Sequence, residues 1–355
     1  MTSSHAIQCP AWCDERDVGT LASAALTETR ELIGARLRLA TAQLPEPTRL
    51  LVARHFGWDE CEDAGVVRIG KCLRAALVML TARAAGGTDE QALPAAVAVE
   101  LIHNASLLHD DIIDGDLQRR GKPALWAVEG VPAAILAGDA LFFAAIQVLV
   151  DTPTASRLVP VLLDSVQVLI EGEYRDTVGS LKPGGRDVDP TAAISVAAAK
   201  TGELMGSACA LGALVAGTDS DRVDHLTRFG RHLGIAFQCV DDMLNIWSEE
   251  AVTGKPAQSD LRERKATIPV ATALAAGGPE ATALRSLLRG SGPLGDDDCA
   301  QAVDLIEQTG AKALTLALAH SQATEALRNL KRAEPLPMPA AQLAAITQVY
   351  CPCAC

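Results

Sequence analysis

Residues 100–121, ELIHNASLLHDDIIDGDLQRRG, set Asp110, Asp111 and Asp114 at the end of an apolar, helix-like segment and follow them with Arg119 and Arg120. On a helix Asp110 and Asp114 share one face with Asp111 one step round, and the same face runs back past Ser106, His103 and Val99. A polar stripe is therefore cut into a greasy helix. Like charges three and four apart cost about 0.2–0.5 kcal/mol per pair, and Asp is a poor helix former, so folding alone gives no reason to gather three of them. A solvated acidic helix end is the bland alternative. A divalent cation gives the cluster a purpose: Mg²⁺ takes oxygen ligands and usually binds through one or two carboxylates plus substrate phosphates.

A second cluster strengthens the metal reading. In GIAFQCVDDMLNIW, residues 234–247, Asp241, Asp242 and Asn245 again end an apolar helical run, with Gln238 at i−3 and i−4. Two such clusters on separate helices can face each other across a bundle. The predicted architecture is all-α: a large single-domain helical bundle around a central cavity, the natural frame for helix-borne carboxylates. Composition agrees, since aromatics are only 3 % of the 355 residues while Ala and Leu abound, a palette for close-packed helices rather than a sheet. No stretch resembles a linker, so residues 17–349 read as one catalytic domain, between an N-terminal segment (1–16) expected to be flexible and a Cys-rich tail (350–355). The net charge of −13 argues against a nucleic-acid partner.

Taken in order, the chain is helix after helix. Residues ~17–45 carry apolar side chains at helical spacing, and a short helical piece follows Pro47. After a loop at 65–70, GKCLRAALVMLTARAAGG is expected to start a helix at Gly70 and stop it at Gly86–Gly87. Thr88 and Gln91 suit a capping box opening the organising helix, although Pro94 follows closely. Pro132 is placed to begin the next helix, and long helical segments are expected at roughly 153–180, 189–217 and 219–247. The most apolar windows, Val131–Val150 and Leu204–Gly217, read as buried core helices rather than membrane spans. The N-terminus lacks the apolar core of a signal peptide, so a cytoplasmic location is expected. Among ten cysteines, Cys72, Cys209 and Cys239 fall in apolar helices and read as small core residues. Cys9, Cys13, Cys351, Cys353 and Cys355 lie at the termini and match no zinc spacing.

The cations sharpen the picture. Lys71 and Arg74 would stand i, i+3 at a helix N-terminus, where the dipole already favours anions, so the pair suits a diphosphate better than folding; a solvated first turn is the ordinary alternative. His103, alone, would be a core histidine, but it shares the aspartate face. Lys200, in AAAKTGELMG, would alone be a snorkelling side chain. With Gly202 and Gly206 nearby, it suggests a helix whose backbone lies close to something bulky.

With these residues in view, the chain resembles the trans-polyprenyl diphosphate synthases. DDIIDGDLQRRG (110–121) matches the first aspartate-rich motif and DDMLNIWSEEAVTGKPAQSDLRERKATIP (241–269) the second, and the likeness runs from about Gly70 to about Pro269. The resemblance implies a prenyltransferase that joins isopentenyl diphosphate to an allylic diphosphate by ionisation, condensation and elimination, the released diphosphate taking the proton. It implies more than one Mg²⁺ per site, held by Asp110, Asp111, Asp114, Asp241, Asp242 and Asn245, and a homodimer. It assigns Lys71, Arg74, His103 and Arg120 to isopentenyl diphosphate, and Arg119, Lys200 and Thr201 to the allylic diphosphate. Gln238, Lys255 and Lys265 complete the substrate-binding set, and Asp110, Asp111, Asp114, Asp241, Lys200 and Arg119 are its catalytic groups. The chain departs from the usual pattern at Cys72 and Ala75, which spare the charged groups. It departs again at Asn245, where Asp is common; Asn keeps an oxygen but loses a charge.

Two other readings stand beside the transferase. A cyclase of the same fold would have no need of Lys71, Arg74 and His103, and a non-catalytic prenyl-binding subunit would be expected to lose aspartates. In the family, bulky residues at the positions of Ala105 and Ser106 end elongation early. Both are small here, so the expected product is C20 or longer.

Overall fold

In a computed structural model the chain is described over residues 18–58, 70–178, 189–248, 258–290 and 292–351. Helices α1 (Val18–Ala42), α2 (Glu46–Phe56), α3 (Leu73–Ala84) and α4 (Asp89–Asp114) lead to a small antiparallel hairpin, β1 (Gln118–Arg119) with β2 (Lys122–Pro123). Then come α5 (Leu125–Glu129), α6 (Val131–Val150), α7 (Ala155–Val178) and α8 (Pro190–Ala197). A π-helical turn (Ala198–Gly202) joins α8 to α9 (Glu203–Val215), and α10 (Ser220–Trp247) follows. The rest is α11 (Ser259–Arg262), α12 (Ile268–Ala275), α13 (Gly278–Leu288), α14 (Asp296–Gln308), α15 (Ala311–Arg332) and α16 (Pro337–Tyr350). The all-α expectation holds, with the hairpin the one departure among the described residues.

The organising helix α4 starts on the expected capping box. Thr88 Oγ1 accepts from the Gln91 N–H (3.4 Å) and the Gln91 side chain accepts from the Thr88 N–H (2.9 Å). Pro94 falls close to that start, where its missing N–H costs a single helical bond, so α4 continues to Asp114 and stops at Gly115 (φ +71°). α4 packs along α6 and against α3 and α9, and α10 lies between α9 and α15. Leu77, Leu80, Leu101, Leu108, Leu141 and Phe229 are fully buried in the main core, each such side chain contributing ~1.5–3 kcal/mol. A smaller apolar cluster joins the end of α10 to α12–α14 through Ile246, Leu274 and Leu284.

Several expectations need correction. α3 begins at Leu73, not Gly70, because Cys72 adopts a left-handed conformation (φ +52°) and caps the helix; Cys72 is buried but not helical. What lies close to Gly202 is the α10 backbone: a Cβ on Gly234 would come within 2.6 Å of the Gly202 Cα. α6 is long and apolar enough to cross a membrane, yet only 39 % of its apolar window is buried, and Leu136, Phe143 and Val150 are exposed, so it is not a core helix throughout. Cys351 is fully buried against the main core, so the packed chain reaches past residue 349. Residues 1–16, the loop at 65–69, Cys353, Cys355 and Lys255 lie outside the described residues.

Candidate active site

The C-terminal end of α4, the C-terminal part of α7 and the π-helical turn meet around Lys200. Gly172 lets α7 approach, since a Cβ there would stand 2.9 Å from the Lys200 nitrogen. The π turn widens the helix locally; Lys200 faces α7, while Thr201 turns to Gln238 on α10. Lys200 Nζ reaches Glu173 Oε2 at 2.7 Å and Asp176 Oδ2 at 3.0 Å. Burial works against the lysine's charge, but Asp110, Asp176 and Glu173 outweigh it and hold its pKa well above the ordinary range. Burial also raises Asp110, against Lys200, and pushes Glu173 up to about 7 with Asp110 as a close neighbour. Carboxylates forced together in this way favour a cation between them.

The other aspartates of the first motif have different partners. Asp111, only 1 % exposed, accepts from Arg119 Nε at 2.7 Å and from Arg119 Nη2, which also reaches Asp116 at 3.2 Å. Asp114 pairs with Lys265 at 2.7 Å. Lys265 also lies 3.3 Å from Glu263, and these carboxylates with Asp260 hold its proton firmly despite burial.

In the second motif the three side chains diverge. Asp241 is exposed. Asp242 is buried and used twice: Oδ1 accepts from Gln238 Nε2 at 2.7 Å, and Oδ2 accepts from the Ile268 N–H at 3.0 Å, capping α12. Gln238 Oε1 in turn accepts from Thr201 Oγ1 at 2.7 Å, so a continuous chain ties the π turn to α12 through Asp242. Burial pushes Asp242 up to about 8 against those hydrogen bonds. Asn245, expected as a metal ligand, braces the following loop instead: Nδ2 donates to Ser259 Oγ (2.8 Å) and Oδ1 accepts from the Asp260 N–H (3.1 Å). The polar atoms of Asp242 and Asn245, expected to hold metal, thus already have protein partners in Gln238 of the same helix and in Ile268, Ser259 and Asp260 beyond it.

On the side of α3, Arg74 Nη1 lies 3.2 Å from His103 Nε2. A guanidinium can only donate, so that nitrogen accepts and the ring is neutral. Burial, Arg74 and Arg120 all press the His103 pKa well below its usual value. Arg120 takes a left-handed backbone (φ +55°) and lays its guanidinium on Gly70, where a Cβ would meet Cζ at 3.0 Å. Among the described residues, four of the five non-glycine positions with positive φ, Cys72, Arg120, Gln258 and Arg264, flank these groups, a clustering of strain common at functional sites. Lys71 is not brought to this group. Standing before α3 rather than on it, it places Nζ 5.3 Å from the Tyr350 ring and lines a separate cavity of about 150 Å³ with Arg30.

Glu173 and Asp176, which the aspartate motifs do not reveal, are full members of the Lys200 group. Of the two small residues below Asp110, Ser106 is partly exposed, with Oγ donating to the His103 carbonyl at 2.9 Å, while Ala105 is fully buried in the main core. Among the described residues no three acidic, His or Cys side chains converge to cage an ion unaided. The oxygen donors of Asp110, Asp114 and Asp241 nevertheless fit Mg²⁺, which takes one or two carboxylates and completes its shell with water and phosphate oxygens.

Comparison with known proteins agrees with this geometry. The family model described as polyprenyl synthetase matches residues 60–306. A geranylgeranyl diphosphate synthase of Mycobacterium tuberculosis is 39 % identical over 337 residues, covering 93 % of this chain and 94 % of that one. A (2E,6E)-farnesyl diphosphate synthase of Mycobacterium bovis is 38 % identical over 88 % of each chain. A crystal structure of a polyprenyl synthetase from Streptomyces coelicolor A3(2) superposes with a TM-score of 0.84 at 37 % identity, covering 93 % of this chain and 99 % of its own.

Proposed function

The chain belongs to the polyprenyl synthetase family, and on that footing we propose that it is a prenyltransferase condensing isopentenyl diphosphate with an allylic prenyl diphosphate to give a linear trans-polyprenyl diphosphate of C20 or longer. The observation that supports the reading is that buried Arg74, 3.2 Å from His103, feels the charges of both Asp110 and Asp241, one from each motif. The cation pocket therefore lies within electrostatic reach of both carboxylate motifs, as a reaction between two diphosphates requires.

When bound, Mg²⁺, more than one ion per site, would supply charge neutralisation of the allylic diphosphate. Asp110, Asp114 and Asp241 would offer the oxygens, and Lys200, kept charged by Glu173, Asp176 and Asp110, donates to the departing group together with Arg119, whose charge also acts on Asp110. Thr201 and Gln238 hold the π turn in register with Asp242. Arg74, neutral His103 and Arg120 bind isopentenyl diphosphate. Apolar side chains of α4, among them Leu108 and Ile102, keep water from the allylic cation. Lys71 and Lys255 join the diphosphate sites by the family likeness alone, Lys71 after leaving Tyr350.

The enzyme is cytoplasmic and works as a homodimer. Exposed Leu136, Phe143 and Val150 on α6, continued by Ile170 and Tyr174 on α7, support a face covered by a second copy. A cyclase would leave the Arg74–His103–Arg120 set without a task. The test is incubation of purified protein with Mg²⁺, isopentenyl diphosphate and each of the C5, C10 and C15 allylic diphosphates, followed by product sizing. Conversion of a prenyl diphosphate to a hydrocarbon with no consumption of isopentenyl diphosphate would refute the reading.

A further inference from the structure

Beside Arg74 and Arg120 lies a buried carboxyl to which the proposed chemistry gives no role. Glu100, three residues before His103 on α4, is 1 % exposed. The Ala75 N–H in the first turn of α3 favours its charged form, and Oε1 accepts from Asn104 Nδ2 at 3.3 Å. Asn104 Nδ2 also donates to the Glu100 backbone carbonyl at 2.8 Å. Both contacts of that nitrogen are acceptors, so the amide has one orientation and Oδ1 must face His55 Nε2, 3.2 Å away. His55 Nε2 therefore carries the hydrogen. Burial and the neighbouring Arg120 keep the ring neutral, with a pKa lowered to about 4.

The arrangement ties α2, α4 and the start of α3 to a single carboxyl. Burial makes ionisation of Glu100 costly, and Arg120 and Arg74 are the charges that favour it. Conversely, Glu100 is the foremost charge supporting Arg74 against its own burial, while Arg120 opposes it. Two guanidiniums held near each other in a poorly solvated pocket repel unless a negative charge accompanies them. Glu100 Oε2 and Arg74 Nε have no hydrogen-bond partner among the described residues, so polar capacity remains at this point.

We propose that Glu100, locked by Asn104 and His55, is a positioning residue whose buried negative charge offsets the repulsion between Arg74 and Arg120 and so preserves them as a preformed cradle for the diphosphate of isopentenyl diphosphate. The inference rests on the reading of that pocket given above. It differs from a folding role in acting on one substrate only.

Steady-state kinetics of the full-length enzyme with each substrate varied in turn test it. Glu100→Gln keeps the shape and an acceptor oxygen but removes the charge. It should raise KM for isopentenyl diphosphate about tenfold or more, with kcat and the allylic KM changed less than about twofold. Asn104→Ala should shift the same KM in the same direction by less, and Glu100→Asp, which keeps the charge, should recover part of the loss. A folded Glu100→Gln enzyme whose KM for isopentenyl diphosphate is unchanged or lower overturns the inference, as do equal rises for both substrates. Should Glu100→Gln fail to fold, Asn104→Ala decides alone, and an unselective effect there overturns it. Wild-type enzyme that consumes no isopentenyl diphosphate would instead refute the pocket assignment itself.

Discussion

The two charged regions on either side of Arg74 bind anions on opposite terms. Around Lys200 and Lys265 every described cation already has a carboxylate at 2.7–3.3 Å, and the carboxylates outnumber the cations. Around Arg74 the groups are guanidiniums and neutral imidazoles, with the buried carboxyl of Glu100 the foremost negative charge acting on Arg74 among the described residues. A diphosphate entering the first region meets net negative charge and needs metal to bind. One entering the second finds donors waiting. The division matches the chemistry, since only the leaving diphosphate must be stabilised as charge develops, while the other is merely held.

The sharpest way to break this contrast is to remove the metal side. Asp110→Ala should lower kcat by at least ~10²–10³, the usual loss of a single electrostatic stabiliser, since it also weakens metal binding. Excess EDTA should abolish turnover while leaving isopentenyl diphosphate binding, read by calorimetry, within a small factor. Metal-free protein that no longer binds isopentenyl diphosphate would show that the two regions are not independent. On the other side, Arg74→Ala strips a charge-assisted contact of ~1.5–3 kcal/mol and should raise KM for isopentenyl diphosphate roughly 10- to 100-fold, with little effect on the allylic KM.

Acid offers a subtler discriminant. The His55 pKa is lowered to about 4 in the fold, from 6.5, so its neutral form is the one the structure accommodates. Its stabilising contribution is complete above pH 6.5 and is lost as pH falls toward 4. Between pH 7 and 5, wild type should therefore lose about 2 kcal/mol more stability than His55→Gln, at about 1.4 kcal/mol per unit. Urea unfolding at the two pH values measures this, and parallel losses would place the imidazole outside the pocket.

What the sequence made legible, and what it hid, follows the range of the interactions. The capping box at Thr88 and the shared face of Asp110 and Asp114 are local, and both stand in the fold. The roles of Asp242 and Asn245 are not local: Ile268 and Asp260 come to them from beyond α10, and helical periodicity says nothing about which loop will arrive. Lys71 is kept off the helix by one backbone angle, the left-handed Cys72, so that α3 begins three residues later than Gly70. Glu173 and Asp176, three apart in EGEYRD, carry the same kind of signal as the aspartate motifs, but one acidic pair near a helix end is ordinary. His55 and Glu100 carry no sequence signal that distinguishes them from a core histidine and a helix glutamate.

The smallest effect on rate, and the most specific on outcome, concerns the floor of the cavity. Ser106 and Ala105 lie ~6 and ~7.5 Å before Asp110 along α4 at ~1.5 Å per residue, but they differ in surroundings. Ala105 is packed in the main core, where a larger side chain would overpack at ~1–3 kcal/mol. Ser106 is partly exposed and only its hydroxyl is tied, back to His103, so an aromatic ring there can extend into the space a growing prenyl chain would use. Ile102, one further turn down and 1 % exposed, offers no comparable opening. Ser106→Phe alone should therefore shorten the main product to C15 or less while kcat, the KM for isopentenyl diphosphate and Tm change little. Ala105→Phe should lower Tm first. A folded Ser106→Phe enzyme with the wild-type product distribution would mean that the chain does not descend along this face of α4, and that its length is set on another helix.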